Sequence, residues 1–260
     1  MKHKPKILIA CDSFKDALSA DLVCQAISQG LLERYNDLSI SIMPLSDGGE
    51  GFLHALKSFN LQLKKVDSYD ALMNKIDCSY LFDQKNKIAY IESAQSCGIQ
   101  KIELQYRNPL YTTTYGVGCM IKDALCQHVE KIYIGLGGSS THDLGLGMAS
   151  SLGYKFYNGS SLIKSPRGID LDFIDKFDEM SESLREVDII GVSDVKNVLL
   201  GVNGSARTFA YQKGATIEEV EKLENYSYEF VKRFKIGHDF LAAHGAGAAG
   251  GLGFGILYFL

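Results

Sequence analysis

The chain has 260 residues, enough for one large domain or two small ones with a real hydrophobic core. Its 46% hydrophobic and 22% charged content is that of an ordinary globular protein. A net charge of −4 without a basic stripe argues against nucleic acid as the main partner. No uncharged run reaches the roughly 18 residues that span a bilayer, so no membrane partner is expected. No signal-peptide pattern precedes the first apolar run, and the expected location is cytoplasmic. The six cysteines lack C-x-x-C spacing and read as buried thiols, neither a disulfide frame nor a zinc site.

Residues 6–11 form a continuous apolar run, read as a strand buried on both faces. The run opens into Asp12-Ser13-Phe14-Lys15-Asp16, and a helix begins near Ser19 with Leu22, Val23, Ala26, Ile27, Gly30 and Leu31 at helical spacing. Residues 39–43 read as a second strand, followed by Asp47-Gly48-Gly49-Glu50-Gly51 and a helix through Phe59. This β-loop-α-β-loop-α order predicts a parallel sheet whose polar loops share the carboxyl edge, where open α/β folds bind ligands. Asp12, Ser13, Lys15, Asp47 and Glu50 then face one crevice. Ser13, Asp47 and Glu50 also sit where caps and dipole-favoured acids belong, so capping is the alternative for each.

Residues 61–90 are more polar and read as edge strands and turns crossing between domains. Residues 87–92 form a strand ending in an acid, and Thr112, Thr113 and Thr114 cap a helix running to about His128. Gly116 and Gly118 in that helix permit close approach of backbone or ligand. The β-branched and aromatic run 131–134 leads into Gly135-Leu136-Gly137-Gly138-Ser139-Ser140-Thr141-His142-Asp143 and then a small, apolar helix. Strand, glycine turn and helix start aim backbone N–H groups at one spot, which suits a phosphate. A plain βα turn with a capped helix is the alternative.

Residues 154–167 read as a hairpin and 169–183 as a polar surface segment. Residues 187–193 read as another buried strand, delivering Asp194 at its end, where loops carry sites. Gln212-Lys213-Gly214-Ala215 is a turn, and the charged helix after it places Val220, Leu223, Phe230 and Phe234 inward. Gly245, Gly247 and Gly250 satisfy G-x-G-x-x-G, but no acid follows about 20 residues on for a ribose. A glycine-rich helix packed on a neighbour is therefore preferred to a dinucleotide site.

Taken together, these loops resemble the bacterial glycerate kinase family, the type with a flavodoxin-like domain interrupted by an α/β domain of restriction-enzyme-like topology. The matching pieces are Asp12-Ser13-Phe14-Lys15 with Ser19-Ala20, the 47–51 turn, and Thr114-Tyr115-Gly116 with Gly118. The 135–139 loop with Asp143, Asp194-Val195 with Asn197 and Leu199, residues 212–215, and the glycine-rich run 245–253 also match, all in family order. Departures include Cys11 for proline, Asp16 for glycine, Ser46 for alanine, His142 for asparagine, Ser193 for cysteine and Val198 for proline.

The resemblance implies an α/β protein with residues 1–66 and 244–260 in the flavodoxin-like domain and 67–243 inserted. Family members continue past the glycine-rich run with a stretch that completes the first sheet, so that domain is expected to be incomplete here. It implies ATP-dependent phosphorylation of glycerate, to 2-phosphoglycerate, with Mg²⁺. On this reading Asp194 is the base, and Lys15 and Lys213 supply positive charge. Asp12, Ser13, Gly48, Gly49, Gly137, Gly138, Ser139, Ser140, Asp143, Gly245 and Gly247 bind substrate or nucleotide, and Asp47 and Glu50 hold the metal. The rivals are an inactive remnant of the family and a dinucleotide-dependent oxidoreductase. A homo-oligomer is compatible with the apolar end, which needs a partner. A Ser139–His142–Asp143 hydrolase is disfavoured, since neighbours at a helix start point in different directions.

Overall fold

The computed structural model describes residues 4–14, 17–180 and 187–260, so Lys15 and Asp16 lie outside the described residues. The fold is α/β. Strands β1 (Lys6–Ile9) and β2 (Ser39–Ile42) pair in parallel, joined by helix α1 (Ala20–Arg34). Ser19 caps α1 by accepting the Leu22 N–H at 3.4 Å. The turn after β2 leads into the short helix α2 (Phe52–Ala55), tied to α1 by the His54–Asp21 pair. Strand β1 is not buried on both faces: Leu8 is 62% exposed and only Ile9 is buried. An apolar run reports what could be covered, and here α1 covers one side.

The larger sheet has five strands among the described residues. Strands β3 (Gln62–Tyr69) and β4 (Lys75–Asp83) form a long antiparallel hairpin, and β4 pairs antiparallel with β5 (Ile88–Glu92). Helices α3 (Ala94–Cys97) and α4 (Tyr115–Cys126) follow, and then β6 (Lys131–Gly135), parallel to β5. Helix α4 packs on β3 and on α5 (Leu146–Leu152). A Cβ at Gly116 would lie 2.0 Å from the Tyr69 carbonyl oxygen, and one at Gly118 2.4 Å from that of Met148. Both glycines serve backbone approach.

The hairpin expected in 154–167 is β7 (Lys155–Asn158) with β8 (Ser161–Ile163); β9 (Lys176–Asp178) pairs on the other side of β7. The segment between them is not purely surface, since Leu171 and Ile174 are fully buried. Two apolar side chains three residues apart suffice to anchor it. Strand β10 (Asp188–Val192) lies parallel to β6 at the sheet edge and is not buried as its composition implies; Ile190 is 37% exposed. Helices α6 (Ser205–Phe209), α7 (Ile217–Arg233), α8 (His238–Ala242) and α9 (Ala248–Phe259) complete the fold. Val220, Leu223 and Phe230 of α7 face inward as expected, and a Thr216–Glu219 capping box starts that helix. Among the cysteines Cys24, Cys78 and Cys97 are buried, whereas Cys126 is exposed.

Residues 244–260, which the resemblance assigns to the first domain, pack for the most part into the core of the larger body, with His244 and Leu257 exposed. Leu252 and Ile256 join the core under the five-stranded sheet, and Phe254 and Phe259 join the aromatic core against β7 and α7. The uncharged end covers β10 and α5. Helix α9 is broken at Ala249, Gly250 and Gly251, all with positive φ, and Leu144 N–H donates to the Gly250 carbonyl at 3.2 Å. A Cβ at Gly250 would stand 1.8 Å from the Thr141 carbonyl oxygen.

Gly250→Ala is therefore expected to lower the unfolding free energy by more than about 3 kcal/mol, combining a left-handed backbone with a clash it cannot relieve. Gly51→Ala, at φ +89 with open space around the missing Cβ, should cost only about 1–2 kcal/mol. Urea midpoints of the two variants check the contrast.

Candidate active site

Three parallel strands end in register: Glu92 of β5 faces Gly135 of β6, and Gly135 faces Val192 of β10. The chain leaving β6 is held by its neighbours. Leu136 N–H donates to the Val192 carbonyl at 3.0 Å, and Gly137 N–H donates to the Gly48 carbonyl at 3.0 Å. That second bond crosses to the 47–51 turn, and side chains are excluded there. A Cβ at Gly48 would lie 2.4 Å from Val192 O, one at Gly135 2.6 Å from Gly48 O, and one at Gly137 2.3 Å from the Gly49 Cα. Glycine at these positions is required by contact between backbones.

The acidic residues expected in the crevice converge on this contact. Asp12 accepts the Asp47 N–H at 3.2 Å and the Ser13 N–H at 2.6 Å, linking the end of β1 to the turn. Asp47 accepts the Gly49 N–H at 2.7 Å through Oδ1. Glu50 is exposed, with its Cβ 3.9 Å from where a Cβ of Gly138 would be. Gly138 is itself exposed, at φ +72.

Below Gly138 the loop turns its hydroxyls inward. Ser140 donates twice to the Cys97 carbonyl, from N–H at 2.8 Å and Oγ at 2.9 Å. Lys213, 3% exposed, enters from the 211–213 turn and donates to Ser139 Oγ at 3.0 Å and to the Thr141 carbonyl at 2.8 Å. Burial pulls its ammonium down to about 8, against the pull of nearby Cys97 and Asp143. Burial also pushes the Cys97 thiol up to about 12. His142 is fully enclosed with Nε2 3.0 Å from Ser227 Oγ; burial, and then the Lys213 charge, lower it to about 3, so the ring is neutral.

Asp143 was expected to bind substrate or nucleotide, and the structure places it elsewhere. It is fully buried, and its carboxylate accepts Thr114 N–H at 2.7 Å, Thr114 Oγ1 at 2.9 Å, and the Gly145 and Gly147 N–H groups at 3.2 Å each. The positive start of α5 thus already holds an anion, the protein's own. Burial raises its carboxyl pKa, and these donors oppose the shift.

Asp194 is exposed two residues beyond β10. Its loop is backed by the glycine-rich run: Gly247 N–H donates to Asn197 O at 2.9 Å, and a Cβ on Gly247 would lie 2.3 Å from Val198 O. Gly245 sits beside Val195 O. The G-x-G-x-x-G pattern is thus used in packing, as the sequence preferred, and does not form the strand–turn–helix of a dinucleotide site. Sequence reasoning left out Glu92, 4% exposed, whose Oε2 accepts the Leu53 N–H at 3.1 Å. Burial pushes its carboxyl up, against the Leu53 and Gly51 N–H groups. Its one signal was an acid closing an otherwise apolar strand.

This is an α/β fold that sets a glycine turn flanked by acids at the carboxyl ends of parallel strands, the arrangement of a candidate active site. The model of the Glycerate kinase family matches residues 7–260. A glycerate kinase of Bacillus cereus is 36% identical over 97% of this chain and 68% of its own length. The glycerate 2-kinase of Escherichia coli is 34% identical over 98% of this chain and 68% of its own. A crystal structure of a protein assigned as glycerate kinase 2 from Salmonella typhimurium LT2 superposes with a TM-score of 0.82 at 34% identity, covering 99% of this chain and 70% of that one. The chain belongs to the glycerate kinase family.

The neutral, buried His142 makes a checkable demand on acid stability. Its native-state pKa lies below the unfolded value near 6.5, so the unfolded chain takes up the proton first and stability is lost as pH falls from 6.5 toward 3. The wild type should lose up to roughly 1.4 kcal/mol per pH unit more than His142→Asn in this window, measured by urea unfolding at pH 6.5 and 4.5.

Proposed function

We propose that this chain transfers the terminal phosphoryl group of ATP to a hydroxyl of glycerate, giving 2-phosphoglycerate. The observation that carries this reading is the contact of the 47–51 turn with the 135–138 loop: Glu50 stands beside the exposed backbone of Gly138, Asp47 begins the same turn, and the buried Lys213 ammonium bonds Ser139 and Thr141 of the loop. Phosphoryl transfer requires little covalent help from a protein and much positioning and charge. A site of this composition meets that need.

In this reading Gly138 and Ser139 present backbone to the phosphates, with Gly137, Gly48 and Gly49 keeping side chains out of the way. Lys213 lies below with positive charge, holding Ser139 and Thr141 in place. Ser140 and Asp143 act from behind, fixing the loop. Gly245 and Gly247 shape the 194–198 loop, and Asp194, exposed at the strand end, takes the hydroxyl proton. Asp12, which accepts the Ser13 N–H, orients the acidic turn, and Lys15 is assigned positive charge on the sequence resemblance alone. No group of three or more acids, histidines or cysteines gathers among the described residues. Asp47 and Glu50 would hold a magnesium ion, which takes one or two carboxylates with substrate phosphates completing its shell. Such an ion neutralises phosphate charge when bound.

Two outcomes test the reading. The purified chain with ATP, Mg²⁺ and glycerate should yield a phosphoglycerate whose phosphorus signal in NMR couples to the C2 proton. A folded chain that binds NADH and leaves ATP and glycerate unchanged would sink it. Lys213 should appear in the pH profile: kcat/KM falls as pH rises through about 8, where the ammonium loses its charge. Lys213→Met should lose about 10²-fold or more and lack that limb.

A further inference from the structure

Glu92 has a place in the architecture that the reaction as described does not use. It ends β5, in register with Gly135, and is 4% exposed. Helix α2 begins one residue after Gly51, which has no side chain to cap it, and no side chain of its own segment accepts its first N–H groups. The acceptor comes instead from Glu92, across 39 residues of sequence, at 3.1 Å from Leu53 N. The neighbouring strand end, Gly135, is bare, and a Cβ there would strike Gly48 O at 2.6 Å and the Phe52 ring at 3.0 Å. Glu92 and Gly135 are thus two halves of one seat, a carboxylate that grips the turn and a gap into which it settles. A well-packed apolar residue would stabilise such a buried position at least as well, so the acid points to placement of the turn.

We propose that Glu92 is a positioning residue whose buried carboxylate holds the 47–51 turn on the sheet end and so sets the depth of Asp47 and Glu50 against the phosphates. This rests on the reading of Asp47 and Glu50 given above. It acts through the backbone of residues 51–53 and touches no substrate.

The test compares the full chain with Glu92→Gln and Asp47→Asn, measuring melting temperature, hydrogen exchange at residues 47–53, and kcat and KM for both substrates. Glu92→Gln should melt within a few degrees of the wild type, exchange faster at Leu53, and lose roughly tenfold or more in kcat with KM for glycerate within about threefold. If it fails to fold, Glu92→Asp, which keeps the charge at shorter reach, is read the same way. Unchanged exchange at Leu53, or faster exchange with kcat within about twofold of wild type, overturns the proposal. A kcat loss in Asp47→Asn with Glu92→Gln silent overturns the role of Glu92 alone. Silence in Asp47→Asn overturns the reading of Asp47, and with it the route by which Glu92 acts.

Discussion

The site depends on one buried ion, the Asp143 carboxylate. It gathers the Thr114 N–H and hydroxyl together with the N–H groups of Gly145 and Gly147, so the first turns of α4 and α5 are pinned to a single point. Thr114 Oγ1 also accepts the Met148 N–H at 2.9 Å, which closes the network. A buried charge without such donors costs several kcal/mol, so loop, helix starts and acid stand or fall together. With the start of α5 occupied from within, the loop exposes its backbone at Gly138, and its hydroxyls serve the interior.

At the contact between the 47–51 turn and the ends of β6 and β10, glycine lets backbones meet directly. At Gly48, Gly135 and Gly137 any side chain would meet backbone closer than 3.0 Å. Backbones that approach this closely leave little play, and the acids carried by the turn inherit that rigidity. Asp12 bonds the turn from one side and Glu92 from the other.

The electrostatics beneath the loop are sorted by burial. Lys213 and Asp143 are a buried cation and a buried anion, each surrounded by hydrogen-bond partners. His142, next to Asp143 in sequence and pressed by the Lys213 charge, stays neutral and bonds a serine hydroxyl. A low-dielectric setting magnifies each choice. One positive charge under a glycine turn suits an anionic substrate, and two would strain the fold.

Much of this protein was legible in its sequence. The α/β class followed from apolar runs alternating with helical periodicity, and the family resemblance rested on short polar and glycine motifs whose order survives. That the 12–13 and 47–51 loops meet was also legible, because they follow neighbouring parallel strands; their contact with the 135–138 loop, which follows a strand of the other sheet, is a matter of tertiary packing. The direction each side chain takes within a loop was not. Asp143 reads like a ligand-binding acid, and only the approach of α4, 29 residues away, turns it into an internal anchor. Burial of strands escaped as well: β1 and β10 are apolar in composition yet partly exposed, since coverage depends on neighbours that periodicity does not name. Glu92 escaped because its partner lies 39 residues upstream. Local chemistry decides what an element is and what it could bind. Only tertiary packing decides which polar groups meet each other first, because a buried group is claimed by whatever donor the fold brings nearest.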